Sequence, residues 1–211
     1  MLGLSFDSDE PVNVLCLGAH SDDIEIGCGG TLLYLAQRYD IKVTWIVLSA
    51  SPERAGEAKV SAETLLDTSL ERFEAKTFRE SFFPYDPELK SYLGELGRAL
   101  KPDLVFTHTR HDRHQDHRTI SDLSWNTFRN HLVLEYEIPK FDGDLAQPNV
   151  FVPLSEELMT KKLEHLETHF ASQQIKLWYD RETFSALARL RGVECQSHYA
   201  EGFYGRKVRL K

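Results

Sequence analysis

The stretch that most constrains this chain runs from Val14 to Thr31, VLCLGAHSDDIEIGCGGT. It opens as a continuous apolar run, which reads as a buried strand. It then breaks into a polar turn carrying His20, Asp22, Asp23 and Glu25. Three glycines lead from there into an apolar-periodic segment that predicts a helix over 28–39. Binding sites of parallel α/β sheets lie just beyond the carboxyl ends of strands, where this turn is expected. The glycines do not spell a dinucleotide site, because Gly27-x-Gly29-Gly30 lacks the G-x-G-x-x-G spacing and the acidic side chains would repel a pyrophosphate. Imidazole nitrogen and carboxylate oxygen are instead donors for a divalent metal. The plainer alternative is an Asp-Asp helix cap, favoured by the helix dipole.

A second cluster shifts the balance toward metal. Leu104 to Thr107 is again strand-like, and the loop that follows holds His108, His111, Asp112, His114, Asp116 and His117. Four of the nine histidines thus fall within ten residues, interleaved with aspartate and arginine. A helical pattern with Ile120, Leu123, Thr127 and Phe128 comes next. Two polar clusters, each after a predicted strand, can converge at one sheet edge.

The remaining pattern predicts strands near 12–18, 42–48, 79–83, 103–107, 132–136 and 149–152. Helices are predicted near 28–39, 55–73, 87–100, 116–129, 155–170 and 180–191. Leu89, Leu93, Leu96 and Leu100 mark one buried helical face, as do Met159, Leu163, Leu166 and Phe170 behind Ser155 as N-cap. Gly192 is expected as a C-terminal cap. Strands alternating with helices imply βαβ units and a mainly parallel sheet, in a single domain over 1–211. The tryptophans Trp45, Trp125 and Trp178 are expected in the core. His165 and His169 share a helix face, but His-Leu-Glu-Thr-His lacks the metalloprotease glutamate and reads as surface. His108 and His111 either line the pocket or cap the loop, and His198 is a weak candidate for reaching the site.

Composition narrows the function classes. A net charge of −8 argues against a nucleic-acid surface, which needs a basic patch. No apolar run approaches a membrane span. The three cysteines, Cys16, Cys28 and Cys195, form no disulfide framework and no C-x-x-C pattern, which suits a reducing cytoplasm. Residues 1–13 lack the basic and apolar regions of a signal peptide, so a cytoplasmic protein is expected.

Ala19 to Leu32, AHSDDIEIGCGGTL, resembles the A-H-P-D-D-E-x-x-G-x-G-G-T-L signature of the PIG-L/LmbE-like zinc de-N-acetylases. His111 to Arg118 is similar to that family's second motif, H-x-D-H-R. Ser172-Gln173 and Tyr199-Ala200-Glu201-Gly202-Phe203 resemble its C-terminal signatures. Ser21 stands where the family has proline, and Ile24 where it has a third acidic residue. The resemblance implies an LmbE-like, Rossmann-like sheet with helices on both faces. It also implies a zinc site of His20, Asp23 and His117, although two histidines and an aspartate with open positions suit iron(II) as well. Asp22 would be the general base and a protonated His114 the group that stabilises the tetrahedral intermediate. Asp112 or Asp116 would orient a ligand histidine. Arg54, in the loop after the second strand, would bind substrate, with Glu57 a weaker candidate; the plainer reading of that loop is a helix start.

The reaction implied is attack of a zinc-activated water on an N-acetyl amide, releasing acetate from an N-acetylglucosamine-type small-molecule conjugate. Another metal-dependent amidase, a phosphoester hydrolase and a non-enzymatic metal-binding module are the competing readings. The pattern leaves a homo-oligomer open.

Overall fold

A computed structural model describes residues 10–208 together with Gly3, Ser5 and Phe6. The ends of the expected 1–211 domain and most of the N-terminal stretch read against a signal peptide lie outside the described residues. Seven strands form one sheet: β1 (Val12–Gly18), β2 (Ile41–Val47), β3 (Leu70–Ala75), β4 (Leu104–His108), β5 (Leu132–Tyr136), β6 (Val150–Leu154) and β7 (Tyr199–Gly205). Their order is β3-β2-β1-β4-β5-β7-β6. The first five are parallel, and β7 runs antiparallel to both β5 and β6.

Alternation along the strands sends side chains to opposite faces, and helices cover both. Val14 and Cys16 point to one face. There they meet α1 (Asp23–Arg38), α2 (Pro52–Leu66), α5 (Glu156–His169) and α6 (Arg181–Glu194) in one apolar cluster. Leu15 and Leu17 point to the other, into a cluster with α3 (Pro87–Ala99) and α4 (Gln115–Thr127). The sheet is therefore Rossmann-like, as expected. The leucine face of α3 is buried at Leu89, Leu93 and Leu96, and Ser155 caps α5 by accepting from the Leu158 N–H. Trp45 is fully buried, whereas Trp125 and Trp178 pack partly buried against the two clusters.

Two predicted elements and one predicted cap are corrected, and one strand is added. The helix expected over 55–73 stops at Leu66. Asp67 adopts φ 45°, and the chain turns through a short 3-10 helix into β3. β3 is an edge strand with charged residues (LERFEA), so it lacks the apolar run of a buried strand. The strand expected over 79–83 is instead a turn, with Ser81 at φ 67°, running into a 3-10 helix at Phe83–Tyr85. β7 went unpredicted because Gly202 and Gly205 break its strand pattern. Gly192 lies inside α6 rather than after it, packed against the His198 carbonyl.

The chain steps outward from β1 to β2 and β3, then returns to the other side of β1 with β4. The carboxyl ends of β1 and β4 thus flank the point where strand order reverses, the place where such sheets bind ligands. Both polar clusters of the sequence leave the sheet there.

The start of α1 sits close to the sheet because it carries glycine. A Cβ on Gly27 would overlap the ring of Tyr136, whose hydroxyl donates to the Leu17 carbonyl at 2.7 Å. Gly27→Ala is expected to destabilise the chain by about 1–3 kcal/mol, the usual cost of overpacking. Denaturant unfolding measures it, and an unchanged midpoint would contradict the contact.

Candidate functional site

The turn after β1 folds around its own aspartate. The Asp23 carboxylate accepts the His20 N–H at 2.6 Å, which fixes the backbone between them. Asp22 occupies the N-cap position of α1 but makes no side-chain cap hydrogen bond. Its carboxylate faces Arg54 of α2, with NH2 to Oδ1 at 2.8 Å. The cap reading of Asp22 therefore fails. The helix start read at Ser51 does form, since Ser51 accepts from the Arg54 N–H, and the Arg54 side chain reaches the site from that first turn.

From β4, the loop 109–114 and the first turn of α4 bring His117 to meet this turn. His20 Nδ1 lies 3.1 Å from His117 Nε2 and 3.4 Å from Asp23 Oδ2. His117 Nε2 lies 3.6 Å from the same Asp23 oxygen. Three donor atoms with these separations suit one small cation, because bonds of about 2.1 Å in a tetrahedron set donors roughly 3.4 Å apart.

Each histidine is anchored on its far side by a carboxylate. His117 Nδ1 is 2.8 Å from Asp112 Oδ2, and His20 Nε2 is 3.5 Å from Asp116 Oδ2. At His117 the Asp112 carboxylate takes the N–H and leaves the Nε2 lone pair for the shared point, while Asp116 faces His20 Nε2 at ion-pair distance without a hydrogen bond. Asp112 is held in turn by the His114 N–H at 2.8 Å and Lys140 Nζ at 2.9 Å. Asp116 accepts the N–H groups of Ser81 and Phe83, which ties the turn after β3 to the site.

Electrostatics show what the cluster lacks. Burial opposes ionisation of Asp23, yet the histidines 117, 108 and 20 facing it hold its carboxyl well below the usual range. Asp112 is held down in the same way by His117 and Lys140 against the effect of burial. Burial alone would deprotonate His20, but Asp116 and Asp23 outweigh it and raise its pKa to about 10. The two carboxylates thus favour positive charge at His20, and two imidazoles with a carboxylate are donors that a divalent cation takes, so the residues present fit a metal.

His114 stands at the N-cap of α4, where its Nδ1 accepts the Asp116 N–H at 3.3 Å. Burial and the neighbouring His20 lower its pKa. Burial, His20 and the cap bond at Nδ1 all work against the positive charge expected on this ring. Burial and the adjacent Asp23 raise the pKa of Asp22 against the pull of Arg54.

Several residues fall differently from expectation. His108 is fully buried behind Asp23 and stacks on His117 with ring centroids 3.9 Å apart. His111 is exposed beside Tyr204, and His198 pairs with Glu156 at the surface. His165 is half-buried rather than superficial, with Nε2 2.8 Å from Ser61 Oγ. Glu57 accepts the N–H and hydroxyl of Ser172. Sequence reasoning missed Lys140, Glu80, which comes within 4.0 Å of His20, and Tyr136, whose hydroxyl is 3.2 Å from His108. Tyr136 could have been found, since it ends a predicted strand at the binding edge.

Comparison with known proteins bears on this geometry. The diacetylchitobiose deacetylase of Thermococcus kodakarensis is 26% identical over 94% of this chain and 86% of its own length. The N,N'-diacetylchitobiose deacetylase structure from Pyrococcus horikoshii superposes with a TM-score of 0.73 at 22% identity, covering 92% of this chain and 83% of that one. The 4-carboxy-2-hydroxymuconate hydratase GalB of Pseudomonas putida gives 0.74 at 18% identity, covering 95% and 98%. The fold is thus shared by proteins of different reaction. Residues 15–128, more than half of the chain, match the family model described as PIG-L, GlcNAc-PI de-N-acetylase. The chain belongs to the PIG-L family.

Proposed function

We propose that this protein is a zinc-dependent N-deacetylase that releases acetate from an N-acetylglucosamine-type sugar conjugate. The observation that carries the reading is the convergence of His20 Nδ1, His117 Nε2 and Asp23 Oδ2, with Asp22 turned away from that point and onto Arg54. Family membership and the deacetylase relative support the substrate class.

His20, Asp23 and His117 would hold the metal. When bound, zinc supplies Lewis acidity and brings the pKa of water toward neutrality. The chain's own groups do the rest. Asp22 accepts the proton of the attacking water, and its raised pKa brings it nearer the working pH of a general base. Arg54 fixes the direction of that carboxylate and would also bind substrate. His114 donates its Nε2–H to the developing oxyanion, a role that needs no positive charge on the ring. Asp22 then returns the proton to the leaving amine. His108 packs behind Asp23, and with Asp112 and Asp116 it keeps the three donors pointed inward.

The GalB likeness favours testing water chemistry beyond deacetylation, because both reactions activate water. Acetate release separates them. With zinc-loaded protein, N,N'-diacetylchitobiose and other N-acetylglucosamine derivatives are expected to release acetate. A chelator should abolish turnover and zinc or another divalent ion should restore it. Hydrolysis that persists in a verified metal-free sample would overturn the reading.

Asp22→Asn is expected to keep its metal and its fold but lose about 10²–10⁴ in rate, the worth of a positioned acid-base group. Asp23→Ala should lose metal binding itself. A folded, metal-loaded Asp22→Asn protein with near-normal turnover would remove Asp22 from the base role. Asp112→Asn keeps the shape but not the charge facing His117. It should weaken zinc binding roughly 10- to 100-fold in competition against a chelator.

A further inference from the structure

The C-terminal segment Tyr199-Ala200-Glu201-Gly202-Phe203 lies in β7, and its glutamate bonds to α1 and Lys162 rather than to the histidines of the site. Glu201 is 5% exposed and Lys162 of α5 is 6% exposed, and the two form a buried ion pair at 2.5 Å. Two buried charges are expensive to desolvate, and an ion pair alone rarely repays that cost. Here both partners have further bonds, and all of them are made to the backbone of α1.

Glu201 Oε1 accepts the Gly30 N–H at 2.9 Å, and Oε2 accepts the Thr31 N–H at 2.7 Å. Lys162 Nζ donates to the Ile26 carbonyl at 2.6 Å. In a regular helix the Ile26 carbonyl and the Gly30 N–H would bond to each other. The ion pair gives each of these two groups a charged partner. It can do so only because residue 30 is glycine: a Cβ there would come within 3.0 Å of Glu201 Oε1 and 2.5 Å of Leu154. The peptide group on the other side of the Ile26 Cα is also held, since the Ile26 N–H donates to the Asp22 carbonyl at 3.1 Å. A continuous path therefore runs from Glu201 through Lys162 and the Ile26 peptide to the backbone of Asp22, next to Asp23.

We infer that Lys162 and Glu201 are positioning residues: they set the first turn of α1, and with it the direction in which Asp23 meets the metal and Asp22 meets the water. The inference rests on the reading of Asp23 as a metal ligand proposed above. A purely structural tie between α1, α5 and β7 would lower stability and leave the metal affinity of folded protein unchanged. A positioning role moves that affinity.

The test is zinc affinity of the folded full-length chain, measured by chelator competition well below the melting temperature. Lys162→Met combined with Glu201→Gln removes both charges and leaves neither ion unpaired. This double variant should bind zinc about 10- to 100-fold more weakly than wild type, and amide exchange at residues 22–26 should speed up. An affinity within threefold of wild type, with unchanged exchange in that turn, overturns the inference. If the double variant does not fold, Glu201→Gln takes its place, because glutamine still accepts one of the two N–H groups; the same two outcomes decide. Asp23→Ala is the control. If it binds zinc as wild type does, the ligand reading fails, a result distinct from a variant that leaves wild-type affinity intact.

Discussion

Two imidazole lone pairs and a carboxylate oxygen point at one spot in the interior, and much of the surrounding structure is the cost of holding them there. Like donors at 3.1–3.6 Å separation repel unless a proton or a cation lies between them. Asp112 and Asp116 fix the rings from behind, and Lys140 balances Asp112. Arg54 balances Asp22. The carboxylates need these cations because burial raises the free energy of every unpaired charge. The same balance leaves Asp22 paired with Arg54 while its neighbour Asp23 faces the histidines.

The sheet supplies the convergence without long-range design. Because β4 returns beside β1, the two loops that leave their carboxyl ends must be neighbours. Hydrogen bonds within each loop then aim the side chains: Asp23 takes its own turn's N–H from His20, and Asp112 takes that of His114. From the β3 side, the N–H groups of Ser81 and Phe83 hold Asp116. Along α1, glycine lets Tyr136 and Glu201 approach the helix closely.

The parallel centre of the sheet was legible in the sequence because its strands are buried on both faces and read as apolar runs. Both polar clusters were legible for a related reason: each interrupts such a run with groups of no use to a core. β3 was not, since an edge strand with alternating charge resembles an exposed helix, and β7 was hidden by its glycines. Within the site, type and spacing marked the two polar clusters, and the family resemblance singled out His20, Asp23 and His117 within them. The lowered pKa of His114 was not legible, because it comes from burial and from His20, which lies on another loop. Nor were Lys140 or His108, whose roles come from a contact with a residue distant in sequence.

The central claim is that one divalent ion sits among His20, Asp23 and His117. Anomalous diffraction at the zinc edge from zinc-loaded crystals tests it most directly. The account predicts a single peak within about 2.0–2.2 Å of His20 Nδ1, His117 Nε2 and Asp23 Oδ2, with Asp22 unbound. A peak coordinated instead by Asp112, Asp142 and Asp144, which also lie close enough together to share an ion, would contradict it.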